Sequence, residues 1–132
     1  MLTVAELSEM QRHAEAEYPL ECCGVVLEGP AGRRVVRCRN LSRSHIGYLL
    51  DPRGFVADLR TGARVAAIYH SHPDNGGAVL SETDRRAALL HDGKPAYPEA
   101  LYVVLSVLQG RVDAAASFRW NPQQRDFLPV AA

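Results

Sequence analysis

Between residues 70 and 84 the chain reads His70-Ser71-His72-Pro73, then seven residues, Ser81, two more, and Asp84. Two imidazoles, a hydroxyl and a carboxylate so close together are the groups of a catalytic zinc site. Zinc in hydrolytic sites takes three protein ligands at roughly 2.0–2.2 Å for nitrogen and oxygen donors and keeps a fourth position for water or substrate. His70, His72 and Asp84 supply three. The ion lowers the pKa of water but does not accept its proton, so hydrolysis also needs a base. Inside the motif, Glu82 and Asp74 fall at solvated helix-start or turn positions, so the base should come from elsewhere. The candidate is Glu21, just before Cys22-Cys23-Gly24.

The flanking residues explain how these groups would meet. Arg64-Val65-Ala66-Ala67-Ile68-Tyr69 is a short apolar run with β-branched members, the pattern of a buried strand that delivers the histidines at its end. Side chains alternate across a strand, so His70 and His72 share a face. Pro73 has no N–H for a ladder and should end the strand. Asp74-Asn75-Gly76-Gly77 is a turn cluster that lets the chain double back. Ser81 then reads as the N-cap, with Asp84 in the first turn, of a helical segment running from Arg85 to His91.

Pro19-Leu20-Glu21-Cys22-Cys23-Gly24-Val25-Val26-Leu27, followed by His70-x-His72-Pro73-x7-Ser81-x2-Asp84, resembles the JAMM (MPN-plus) zinc metalloprotease family in its short stand-alone prokaryotic form. Five fixed positions at set spacing carry the resemblance, which covers about residues 1–120. It implies an α/β fold of the JAMM/MPN, cytidine deaminase-like kind. That is a single-domain, mixed, largely antiparallel sheet flanked by helices, with the N-terminal helix on one side and the metal-motif helix on the other. It implies that His70, His72 and Asp84 bind one Zn2+ per chain, that Glu21 activates the water, and that Ser81 helps stabilise the tetrahedral oxyanion. The implied activity is hydrolysis of the amide bond after the C-terminal Gly-Gly of a ubiquitin-like or sulfur-carrier protein, in deconjugation or precursor processing. A glycine tail suits this physically, because an extended segment without side chains can pair with a strand edge in a narrow groove. A homodimer is a further expectation for short members.

Two other classes compete. A non-catalytic scaffold of the same fold would not need the complete ligand set. A peptidase acting on an unrelated peptide, such as a cell-wall or phage-tail peptide, would share it. A structural zinc site normally uses four protein ligands with cysteines among them. Nucleobase deaminases need a Pro-Cys-x-x-Cys partner motif, which this sequence lacks.

The 132 residues are 47% apolar and 23% charged, ordinary for a globular domain that buries a core without disulfides. We read residues 1–132 as one domain whose core extends to about residue 120. Fifteen basic and fifteen acidic residues cancel, which removes the electrostatic footprint of nucleic-acid or anionic-membrane binding. No apolar stretch approaches the roughly 20 residues of a membrane span and no signal-peptide pattern opens the chain, so a cytoplasmic protein is expected. Cys22, Cys23 and Cys38 match no Cys-x-x-Cys site and read as buried free thiols in a reducing compartment.

Thr3-Val4-Ala5-Glu6 is a capping box opening a helix through Glu17, with Leu2 and Leu7 at the hydrophobic-staple positions. Its apolar stripe is Val4, Leu7, Met10 and Ala14, and His13 is expected at the surface. Strands follow over Glu21–Leu27 and Arg33–Asn40 around a Gly29–Gly32 turn, with Gly24 permitting close backbone approach. His45 reads as a lone loop histidine, a fourth ligand or substrate contact being the alternative. Asp51-Pro52 starts a short helix to Gly62 that packs through Phe55, Val56 and Leu59. Lys94 to Pro98 is a loop bordering the active-site groove, and Leu101–Leu108 a strongly apolar strand. Gln109-Gly110-Arg111 is a turn, Val112–Trp120 another strand, and the remainder a short final strand or loose tail.

Overall fold

The computed structural model describes residues 1–42 and 48–131, with the backbone alone at residue 75. Helix α1 (Val4–Glu17) starts at its capping box: the Thr3 hydroxyl accepts from the Glu6 N–H and the Glu6 carboxylate from the Thr3 N–H, each at 3.0 Å. Glu6 is buried, and Arg33 donates two bonds of 2.9 Å to its carboxylate, which hold it below its ordinary range. The stripe differs from the expected one. Val4 is 88% exposed, and the buried positions are Glu6, Met10, His13 and Ala14. His13, expected at the surface, is 3% exposed with its Nδ1 2.7 Å from the Tyr69 hydroxyl. That partner lies 56 residues away and supplies the hydrogen bond a buried imidazole requires, which no local pattern reveals.

Among the described residues, β1 (Cys23–Gly29), β2 (Gly32–Cys38), β3 (Arg64–Pro73), β4 (Leu101–Leu108), β5 (Arg111–Asn121) and β6 (Asp126–Val130) form one sheet in the order β2-β1-β3-β4-β5-β6. β3 and β4 run parallel, joined by a long crossover, and every other neighbouring pair is antiparallel. Met10 and Ala14 of α1 pack on one face with Val26, Tyr69, Val103 and Leu105. Phe55, Leu59 and Ala88 pack on the other with Val25, Ile68, Tyr102 and Val104. The fold is therefore a mixed, largely antiparallel α/β domain with helices on both faces, as the sequence suggests. β4 is buried from Leu101 through Val107, and its near-continuous apolar run is what a strand covered on both sides requires. No helix among the described residues is long and apolar enough to cross a membrane.

Several boundaries differ. β1 begins at Cys23, which leaves Glu21 in the segment before the strand, and β2 ends at Cys38. The expected Pro52–Gly62 helix is a 3-10 turn, Pro52–Gly54, followed by α2 (Val56–Arg60). Phe55, at φ −145°, interrupts the spiral and buries its ring, while Val56 is 39% exposed and does not pack. α3 covers Glu82–Ala87 and does not reach His91. Leu89 pairs with Pro95 in a bridge and the Leu90 N–H bonds the Lys94 carbonyl at 2.7 Å, so these groups are diverted from a continued helix. The tail is the strand β6, paired to β5. Cys22, Cys23 and Cys38 are buried free thiols, pushed up by burial to about 11, 12 and 11. Thiols protonated at neutral pH are poor nucleophiles.

Gly24 stands opposite Tyr69 in the β1–β3 register, and a Cβ there would collide with the Tyr69 ring, which is fully buried and tied to His13. Gly24→Ala is expected to cost about 1–3 kcal/mol, the usual cost of forcing extra atoms into a packed interior. The measurement is the urea midpoint, and an unchanged midpoint would show that the ring yields freely.

Candidate metal centre

Alternation along β3 sends Ile68, His70 and His72 to the α3 side of the sheet and Tyr69 to the α1 side. His70 is buried, between Cys23 of β1 and Val104 of β4. Past Pro73 a 3-10 turn, Asp74–Gly76, and Gly77 at φ +68° reverse the chain. The Asp74 carboxylate accepts from the Tyr18 hydroxyl at 2.8 and 3.0 Å and from the Gln109 N–H at 3.2 Å, which pins the turn to the end of α1 and to the β4–β5 hairpin. A Cβ on Gly76 would collide with His72, so the turn passes this close to the imidazole because a glycine is there.

Ser81 then caps α3: its Oγ accepts from the Asp84 N–H and the Asp84 carboxylate accepts from the Ser81 N–H, both at 3.1 Å. The cap brings Asp84 Oδ2 to 3.0 Å from His70 Nε2 and 3.1 Å from His72 Nε2, and the two nitrogens are 3.1 Å apart. Bonds of 2.0–2.1 Å to a tetrahedral ion would set its donors about 3.3 Å apart, so an ion of zinc's size fits after movements of a few tenths of an ångström.

The hydrogen-bond geometry of His72 agrees with that use. His72 Nδ1 lies 3.0 Å from the Gly77 carbonyl, an acceptor, so Nδ1 carries a proton and neutral His72 turns a lone pair at Nε2 toward Asp84. Burial holds His70 below its ordinary value and so keeps it neutral. Burial also pulls His72 down, but its bonds to Asp84 and to the Gly77 carbonyl outweigh this and leave it raised. Burial pushes the Asp84 carboxyl up, yet its close contacts with the His70 and His72 nitrogens overcome it and hold the group far below the usual carboxylate range. Three acceptor atoms 3.0–3.1 Å apart repel one another unless a proton or a cation lies between them.

Glu21 approaches the same histidines. One of its carboxylate oxygens and one nitrogen each of His70 and His72 lie within 4.8 Å of one another. Two triads thus share both histidines. The Asp84 triangle, with edges of 3.0–3.1 Å, has the size of a direct coordination shell.

A family model described as prokaryotic homologs of the JAB domain matches residues 3–121. The chain belongs to this family. Among solved structures, a protein from Salinibacter ruber is 26% identical, with 98% of this chain and 87% of that chain covered at a TM-score of 0.66. A protein from Desulfitobacterium hafniense is 23% identical, with coverage of 97% and 87% and a TM-score of 0.70. A JAB1/MPN domain protein from Archaeoglobus fulgidus is 14% identical, with coverage of 93% and 89% and a TM-score of 0.50. The last two share the fold. Tail tip assembly protein K of Escherichia phage N15 is 44% identical over 69 residues, which are 52% of this chain but 28% of that protein.

Two residues of this JAB domain at the site carry no mark in the sequence reading. Tyr48 stacks on His70 with ring centroids 4.3 Å apart and planes at 23°, which fixes the imidazole plane. Ser71, buried between the histidines on the opposite face, accepts from the Cys22 N–H at 2.7 Å through Oγ and donates its own N–H to the Cys22 carbonyl at 3.1 Å. Strand alternation points Ser71 away from the His70 and His72 side of the sheet, which is the one local hint of its role. Ser81, expected beside the oxyanion, spends an oxygen lone pair on the cap and keeps its proton for another acceptor. His45 lies outside the described residues. The loop 94–98 lines a depression with Trp120 and Arg125, whose walls include none of Glu21, His70, His72, Ser81 or Asp84. The groove that Glu21 does line, of 520 Å3, is formed by Glu17, Leu20, Cys22, Arg39 and Asn40 among others.

Proposed function

We propose that this JAB domain is a JAMM-type zinc metallopeptidase that hydrolyses the amide bond after the C-terminal Gly-Gly of a ubiquitin-like or sulfur-carrier protein. One observation supports it above all: two imidazoles and the Asp84 carboxylate converge within 3.1 Å, while the Glu21 carboxylate lies within 4.8 Å of both imidazoles. His70, His72 and Asp84 would hold a zinc ion, which when bound polarises a carbonyl and acidifies water. Glu21 takes the proton from the attacking water and hands it to the leaving nitrogen. The Ser81 hydroxyl donates to the oxygen on which negative charge develops. The Gly77 carbonyl fixes the His72 tautomer, and Tyr48 fixes the plane of His70.

A second reading draws on the match to tail tip assembly protein K. In this second reading the chain's own site performs the same chemistry on an unrelated peptide, such as a phage-tail or cell-wall peptide. The test is incubation of zinc-loaded protein with a panel of Gly-Gly-tailed carriers fused to a reporter, with Glu21→Gln as the control. Release of a carrier ending in Gly-Gly, absent in the control, is expected. Cleavage of other peptides with every carrier intact would favour the second reading. Failure to take up zinc at all would favour a non-catalytic scaffold.

A further inference from the structure

Glu21 sits before β1, where no sheet ladder fixes it, yet a general base must be placed to within a fraction of an ångström. The peptide unit joining Glu21 to Cys22 is held at both ends. Asn40 Nδ2 donates to the Glu21 carbonyl at 3.2 Å, and the Cys22 N–H donates to Ser71 Oγ at 2.7 Å. The orientation of the Asn40 amide follows from its other partners. The N–H groups of Ser42 and Leu49 each lie 3.0 Å from the same side-chain atom of Asn40, so that atom is the oxygen and the nitrogen faces Glu21. The Asn40 main chain is also bridged to Leu50.

We propose that Asn40 is a positioning residue for the base: one side-chain amide locks the Glu21 peptide to both ends of the segment 41–49 and to the end of β2. This rests on the reading of Glu21 as the base. It differs from a purely structural role, because the donor half of the amide serves Glu21 and the acceptor half serves the Ser42 and Leu49 N–H groups.

Asn40→Asp separates the two halves. Aspartate keeps an oxygen for the Ser42 and Leu49 N–H groups and replaces the donor with an oxygen that repels the Glu21 carbonyl. In the metal-free protein the Cys22 amide should exchange with solvent at least about tenfold faster, while the Ser42 and Leu49 amides keep the parental rate. In the zinc-loaded protein kcat should fall roughly 10–100-fold, the scale of an ångström-sized misplacement, with KM and zinc content near parental. Asn40→Ala should speed exchange at all three amides. Parental Cys22 exchange and parental kcat in Asn40→Asp would overturn the proposal, as would a loss confined to the Ser42 and Leu49 amides. If Asn40→Asp is fully active while Glu21→Gln is dead, the Asn40 role alone fails. If Glu21→Gln is itself active, the reading of the base fails first.

Discussion

Glu21→Gln is expected to keep the parental zinc content and to lose turnover by roughly 10²–10⁴-fold, the share a positioned acid–base group contributes. Glutamine matches glutamate in size and keeps one oxygen, but it cannot take up a proton near neutral pH. The change should leave the fold alone. The Glu21 carbonyl still accepts from Asn40, and the next N–H still donates to Ser71. The metal should stay because His70, His72 and Asp84, whose donor atoms converge at 3.0–3.1 Å, are untouched by the change. Metal analysis and single-turnover cleavage, run on the same preparation, separate these effects. Loss of zinc together with turnover would make Glu21 a ligand and not the base.

The metal motif is legible because its members lie in one strand–turn–helix unit, where period-two alternation and a capping box decide which side chains converge. Glu21 is different. It reaches the histidines through the β1–β3 pairing that sets Cys23 opposite His70, a contact between distant segments. The resemblance to a known motif points to Glu21; its local composition does not. Tyr48, Asn40 and His13 are missed for the same reason, since each is defined by a partner far along the chain. Leu101–Leu108 reads correctly from end to end because a long apolar run can only be covered on both faces. Ala87-Ala88-Leu89-Leu90 misleads, because its helix propensity is overridden when Leu89 bridges to Pro95.

Asp84 does two jobs that substitution can pull apart. Its carboxylate closes the α3 cap on the Ser81 N–H and also meets both histidines. Asp84→Ala removes both functions, so zinc should be lost and the metal-free protein should fall by about 0.5–2 kcal/mol, the usual cost of a lost cap. Asp84→Asn keeps an acceptor for Ser81 but not the anionic ligand, so zinc should be lost while metal-free stability stays above that of Asp84→Ala. The readout is thermal unfolding with chelator and with zinc. At free zinc about 100-fold above Kd, binding adds about 2.7 kcal/mol to the parental protein, on the order of 10 °C in Tm for a domain of this size. Neither variant should show that gain, while Glu21→Gln should show it in full. If Asp84→Asn still gained stability from zinc and Glu21→Gln did not, the ion would sit between Glu21 and the histidines. The two carboxylates would then exchange roles, with Asp84 left to hold the cap and orient the imidazoles.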